Sequence, residues 1–207
     1  AAASRGQAAS LSLDKHAVES LNDSQAQFAE AEASGDASAI ATARAEMKEA
    51  DKHMASSDRA AALMANINAV TASAAIDKRA CDEALRTASA LPGATSEVIN
   101  DAKASQEAAD NIATSAEEVA LAAAAAVDRE AMAVSKLRAA RADLSAALSS
   151  GDATDIAAAR TAVSVAQREV DDCRDAVATL GNAVDGIATE RKALDEAVCA
   201  LEAAKAS

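Results

Sequence analysis

Residues 152–207 read DATDIAAARTAVSVAQREVDDCRDAVATLGNAVDGIATERKALDEAVCALEAAKAS, and this stretch decides the fold. Stepping through it by four and three picks out Ile156, Ala159, Val163, Ala166, Val170, Cys173, Val177, Leu180, Val184, Ile187, Arg191, Leu194, Val198 and Leu201. Arg191 alone interrupts the apolar series. A 3.5-residue apolar repeat sustained over this length is the seam of one long helix. At ~1.5 Å rise per residue such a helix is about 80 Å long. A single narrow helix buries nothing by itself, so the rest of the chain must supply partners of similar length.

It does so. A first helix is expected from about Ser10 to Ala33, with Leu11, Ala17, Val18, Leu21, Phe28 and Ala31 on its apolar face. Ser34-Gly35-Asp36 then ends one helix and starts the next, Gly suiting a left-handed C-terminal position and Asp an N-cap. The second helix runs from Ala37 to about Ala90. Its seam is Ile40, Ala43, Met47, Ala50 and Met54, then Leu63, Ile67, Val70, Ala74, Cys81, Leu85 and Ala88. The seam shifts near Ser57 to Leu63, which predicts a stutter, a bend or a change of neighbour there. Leu91-Pro92-Gly93-Ala94-Thr95 carries the chain's one proline and breaks the helix. Thr95 or Ser96 caps a third helix, from about Glu97 to Ser149, whose seam includes the polar Ser105 and Glu130. Ser150-Gly151-Asp152 launches the fourth. The fold class is therefore all-α: an elongated antiparallel, up-down helical bundle of three long helices and one shorter N-terminal helix, with residues 1–207 as a single domain.

The two Gly-Asp tips belong to a longer repeat. A shift of 116 residues superposes Ser34-Gly35-Asp36-Ala37 on Ser150-Gly151-Asp152-Ala153. It also brings Ile40 and Arg44 onto Ile156 and Arg160, and Val18 and Leu21 onto Val134 and Leu137. This reads as a duplicated helical hairpin, with both tips at one end of the bundle and Pro92 and the C-terminus at the other.

Composition limits what such a bundle can do. Hydrophobic residues make up 51% of the chain, yet most are alanine, and Phe28 is the one aromatic side chain. Alanine favours helix but buries little area, so the core is thin and a wide ligand pocket is not expected. A net charge of −13 repels phosphate backbones and anionic headgroups, which argues against nucleic acid as a partner. The longest apolar run, Val119 to Val127, is far short of the ~20 residues a membrane span needs.

The chemistry-bearing residues point away from catalysis. No strained serine elbow, phosphate-binding glycine loop or cysteine–histidine arrangement is present, and no catalytic, cofactor-binding or metal residues are assigned. His16 and His53 read as two surface histidines. Carboxylates are scattered over solvent-facing positions, except Glu130, which reads as a snorkelling side chain or one facing a gap. Cys173 fits the fourth seam as a buried thiol. Cys81 and Cys199 lie 45 and 47 residues past the tip residues Asp36 and Asp152, at nearly one height on parallel helices. They form a candidate disulfide if the second and fourth helices are adjacent, and two more buried thiols otherwise. Asn22-Asp23-Ser24 is a candidate glycosylation sequon.

A long, acidic, alanine-dense helical chain, with runs such as Ala122 to Ala126 and hairpin tips at Gly35 and Gly151, resembles the glutamic acid/alanine-rich surface coat protein of African trypanosomes. That family is architecturally similar to the N-terminal domain of the variant surface glycoproteins. The resemblance implies a non-enzymatic cell-surface glycoprotein on the outer face of the plasma membrane. It would be anchored by a C-terminal glycolipid beyond this chain, with neighbouring coat molecules and host surface ligands as partners. The alternative from the residues alone is a cytoplasmic helical module that binds lipid surfaces or partner helices through its alanine seams. An ice-binding helix is disfavoured, because no 11-residue Thr or Ala plane is present.

Overall fold

The structure, a computed structural model, describes residues 2–90, 92 and 95–206, and the side chains of 6–90, 92 and 95–203 among them. It is an all-α bundle of four helices: α1 (Ala2–Ser34), α2 (Ala37–Ala90), α3 (Ser96–Ser150) and α4 (Ala153–Ala206). No strand occurs among the described residues. The helix α1 starts at Ala2 rather than near Ser10, because nothing in its alanine- and serine-rich opening breaks a helix. The other three helices keep their expected bounds to within a residue. Of the expected break before α3, Leu91, Gly93 and Ala94 lie outside the described residues. Pro92 sits in a turn. Thr95 caps α3: its carbonyl accepts from Ile99 N at 3.3 Å and its Oγ1 from Val98 N at 3.4 Å.

The two hairpin turns repeat each other almost bond for bond. Gly35 and Gly151 have φ of 71° and 75°, the left-handed region that a side chain disfavours. Asp36 Oδ1 accepts from the backbone N–H groups of Ser38 and Ala39 at 2.8 and 3.3 Å. Asp152 Oδ1 accepts from those of Thr154 and Asp155 at 2.8 and 3.2 Å. The preceding serine hydroxyls, Ser34 and Ser150, donate back to Ala31 O and Ala147 O at 2.7 and 2.8 Å.

The chain packs as two compact units. The first joins Ala1–Met64 with Ala123–Ala178 and holds segments of all four helices. Here α1 runs against α3 through Arg138, which binds Glu19, and against α2 through the Arg44 guanidinium, 5.8 Å from the Phe28 ring centre. Gly6 lets α1 approach closely, since a Cβ there would collide with the tip of Met64 and lie 3.2 Å from Ala124 Cβ. The second unit joins Ala65–Ala122 with Thr179–Ser207 and holds three segments. Its core gathers Ala74 and Cys81 from α2, Ala109, Ile112 and Ala116 from α3, and Ile187 and Leu194 from α4. Contacts between α2 and α3 pair Lys78 with Asp110 and Asp82 with Gln106, so one number rises by four as the other falls by four, as antiparallel helices require.

Every residue of the α4 seam is buried or half-buried, including Arg191, whose Nε donates to Asp77 Oδ2 at 2.7 Å. The α3 seam is likewise covered throughout, and Ala124, Val127, Ala131 and Val134 are buried beside it. Those four belong to the first unit, where α3 has more neighbouring segments to face. Two expectations need correction. In α1 the buried positions among the described residues are Gly6, Ala9, Ser10, Leu13, Ala17, Ser24 and Ala31, while Leu11 is 71% exposed and Val18 41% exposed. The repeat Ser10, Ala17, Ser24, Ala31 sets the register, and Leu11 and Val18 fall one residue off it. In α2 the heptad itself does not slip: Ala43, Ala50, Ser57 and Met64 recur every seven residues beside His53, Ala60, Ile67, Ala74, Cys81 and Ala88. Of the outcomes expected there the change of neighbour is the one met, since α2 leaves the four-segment unit for the three-segment one after Met64. The stretch that seemed to slip is one where polar side chains occupy seam positions.

Candidate functional site

His53 of that seam, and Ser56 just off it, join residues of α3 and α4 in the most unusual cluster among the described residues. It lies in the first unit and is assembled from α2, α3 and α4. Glu130 on α3 is completely buried. It neither snorkels nor faces a gap. The Ser56 hydroxyl on α2 donates to its Oε1. Arg174 on α4 brings its Nε to 3.7 Å from the same oxygen, an ion-pair distance but not a hydrogen bond. Glu130 Oε2 and Arg174 Nε have no hydrogen-bond partner. Burial pushes the Glu130 carboxyl above the usual carboxylate range, opposed by the Ser56 hydrogen bond and by the charges of Arg174 and Arg59.

Arg174 also reaches α2. Its Nη2 donates to His53 Nδ1 at 3.1 Å, and its Nη1 lies 3.2 Å from Asp171 Oδ1. A guanidinium has donors only, so His53 Nδ1 accepts and the ring is the neutral Nε2–H tautomer. Burial first, then the charges of Arg174 and Arg141, drive the His53 pKa down to about 4, with Glu49 and Asp171 pulling the other way. His53 is thus a core histidine and not a surface one. His16 differs: it is half-buried on α1, and its Nδ1 lies 2.6 Å from Ser12 O. Cys173, the residue before Arg174, has its thiol pushed up by burial and by the negative charge of Glu130.

In the second unit, Cys81 and Cys199 line one hollow of about 200 Å³, together with Asp77, Ala80, Leu194, Asp195 and Val198. The candidate disulfide is not formed: Cys81, Cys173 and Cys199 are all free thiols. Adjacency of α2 and α4, on which the pairing depended, is nevertheless present there. Cys81 is buried and Cys199 exposed. Burial, followed by the charges of Asp77, Asp82, Asp195 and Asp110, pushes the Cys81 thiol up.

The remaining predicted residues stay separate from these clusters. Asn22 is exposed on α1, whereas Ser24 of the same sequon is buried and donates to Ser20 O at 2.8 Å. Gly35 and Asp36 sit in the first turn and Gly151 and Asp152 in the second, with the carboxylates committed to capping. Beside the first turn an open hollow of about 570 Å³ is lined by Glu30, Ala31, Ser34, Asp36, Thr42 and Glu46, among others. No group of three or more His, Cys, Asp or Glu is placed to hold a metal ion, and no helix is long and apolar enough to cross a membrane, among the described residues. The chain matches no known family model, no curated protein and no solved structure.

Sequence reasoning singled out Glu130 but missed its partners. His53 carries a signal only when α2 is read as a strict heptad that tolerates polar occupants, whereas Ser56 lies one residue off that heptad and Arg174 one residue off the α4 seam, so neither carries one. Chemically, the cluster's hydrogen bonds run inward, with Glu130 Oε2 and Arg174 Nε left without one. The serine proton goes to the carboxylate, and the guanidinium to the imidazole and Asp171. The buried hydroxyl and imidazole are both engaged within the cluster, and neither residue lines either of the hollows described above.

Proposed function

We propose that this chain is a non-enzymatic structural protein of a cell-surface coat, presenting a helical bundle outside the plasma membrane and held there by a C-terminal glycolipid. Its partners are neighbouring copies in the coat and ligands on a host surface, as the likeness to the trypanosome coat protein implies. The observation that carries the reading is that Glu130, Arg174 and His53, the ionisable side chains of the first unit's buried cluster, face one another across α2, α3 and α4. An alanine core supports it, because small side chains let helices pack closely while spending little volume on a binding interior. More than half of the buried apolar residues described are alanine. The net charge of −13 keeps densely packed copies soluble and mutually repelling.

The test uses the full-length precursor in its own cells. Surface labelling of unpermeabilised cells should mark the protein, and a phosphatidylinositol-specific phospholipase should release it into the medium. Recovery with the soluble cytoplasmic fraction, untouched by the phospholipase, overturns the proposal. That outcome favours the second reading, a helical module that docks on partner helices or lipid. Its support is the seven-residue spacing of the exposed Leu11 and Val18 on α1.

A further inference from the structure

The cysteines of the second unit differ in one respect that a buried-thiol reading does not use. Cys199 is exposed, Cys81 is 1% exposed, and both border the same hollow between α2 and α4. A reagent in solution therefore meets Cys199 first. Whatever it leaves on the Cys199 sulfur sits at the rim of a space that Cys81 lines from below. The spacing that places them there is built into each helix. On α2, Asp77 and Cys81 are four residues apart, and on α4, Asp195 and Cys199 are four apart, so each helix turns an Asp and a Cys to the hollow.

We propose that Cys81 and Cys199 form an oxidation-dependent staple between α2 and α4, closed in two ordered exchange steps by a low-molecular-weight disulfide. In the first step the Cys199 thiolate attacks one sulfur of the small disulfide. The Cys199 S–S bond forms, the reagent's S–S bond breaks, and one small thiolate leaves. In the second step the Cys81 thiol gives up its proton and attacks the Cys199 sulfur, expelling the second small thiolate. Two protein thiols are oxidised by two electrons, and one small disulfide is reduced to two thiols. Cys199 is the entry thiol because it is exposed, and Cys81 the resolving thiol because it is not. The carboxylates of Asp77 and Asp195 beside the sulfurs make a cationic disulfide the better first reactant than an anionic one. Arg191 neutralises only Asp77. Cys173 belongs to the other unit and takes no part. The staple does not depend on the surface role proposed above.

The experiment treats the folded full chain with cystamine, a cationic small disulfide, and maps the products by intact mass and by peptides prepared without reduction. The expected product has lost two hydrogens, holds a Cys81–Cys199 linkage, forms equally in Cys173→Ser, and melts about 5–10 °C higher than the reduced chain. Cys81→Ser should stop at the Cys199 mixed disulfide. Cys199→Ser, a change at an exposed position that leaves the core intact, should leave Cys81 unreacted over the same time. A wild-type chain that halts at the Cys199 mixed disulfide overturns the proposal. So does one that dimerises through Cys199, or one in which Cys81 reacts unaided in Cys199→Ser.

Discussion

Arg174→Met isolates the role of the buried ion pair. The substitution keeps an unbranched stem out to the position of Nε and removes the charge nearest to Glu130, whose carboxylate has no exposure to water. Breaking a buried pair by deleting one partner costs about 3–5 kcal/mol, because the surviving charge is left without compensation. Glu130 has a way out, which is to stay protonated. In the unfolded chain a carboxyl ionises near 4.5. Holding it neutral in the fold then costs about 1.4 kcal/mol for each pH unit above that, or about 3.4 kcal/mol at pH 7 and under about 1 kcal/mol at pH 5. The sign follows from the raised pKa: the folded state binds the Glu130 proton more tightly than the unfolded state, so stability falls as pH rises through and above the carboxylate range. Wild type already bears part of this cost, and Arg174→Met bears more.

His53 moves the same difference. Without Arg174 its pKa returns towards 6.5, so the variant loses less than wild type on acidification. Urea unfolding followed by circular dichroism at pH 7 and pH 5 reads both effects. Arg174→Met is expected to lose about 3 kcal/mol at pH 7 and about 1 kcal/mol or less at pH 5. Adding Glu130→Gln, which removes the charge but keeps an acceptor for Ser56, should restore stability at pH 7 to within about 1 kcal/mol of wild type. An equal loss at both pH values would refute the reasoning, since a packing defect does not titrate.

Three further outcomes follow from single features. His53 has its folded pKa lowered to about 4 from 6.5, so its contribution is intact above pH 6.5 and is lost as pH falls towards 4. That loss is up to about 3.4 kcal/mol, and His53→Gln should flatten it in urea midpoints taken from pH 7 to pH 4. Gly181 and Gly186 lie inside α4 with nothing within 4 Å of an added Cβ, so each change to Ala should stabilise the chain by about 0.5–1 kcal/mol in the same assay. Gly35→Ala and Gly151→Ala, at φ of 71° and 75°, should each destabilise by about 1–2 kcal/mol, and by the same amount within error, as melting curves of the two variants would show.

The long helices were legible because their signals are redundant. In α4 thirteen of fourteen successive seam positions are apolar or cysteine, Arg191 alone departing, so no single misreading moves the register. The turns were legible because Gly35, Asp36, Gly151 and Asp152 each do one local job that neighbours cannot alter. The α1 register was not, since Ala17 and Val18 compete for one position and a lone Leu11 pulls the reading the wrong way. Packing settles it through Leu13 and through serines that carry no apolar signal. The α2 seam misled for a related reason. An apolar template skips His53, Ser56 and Ser57, and the cluster around Glu130 is invisible until α2, α3 and α4 are placed side by side. The breadth of burial on α3 depends on how many segments surround it, which is a property of the fold and not of any window of residues.

The position of that cluster suggests what a costly buried carboxylate does in an alanine bundle. Alanine seams attract, but every alanine resembles the next, so sliding one helix past another by a heptad changes buried area little. Glu130 breaks this degeneracy. In the observed register it meets Ser56 and Arg174, and one heptad away on α2 it would face Leu63 or Glu49 instead. A slip therefore strands a charge, at a cost of several kcal/mol that no alanine contact supplies. Replacing the trio together, with Glu130→Leu, Arg174→Met and Ser56→Ala, removes the penalty for the slipped states along with the buried charge. We expect this variant to hold or gain helicity and thermal stability, while its urea transition broadens and its amide resonances multiply as several registers become populated. A sharp transition and one set of resonances would show that shape alone fixes the register, and that Glu130 has some other reason to be there.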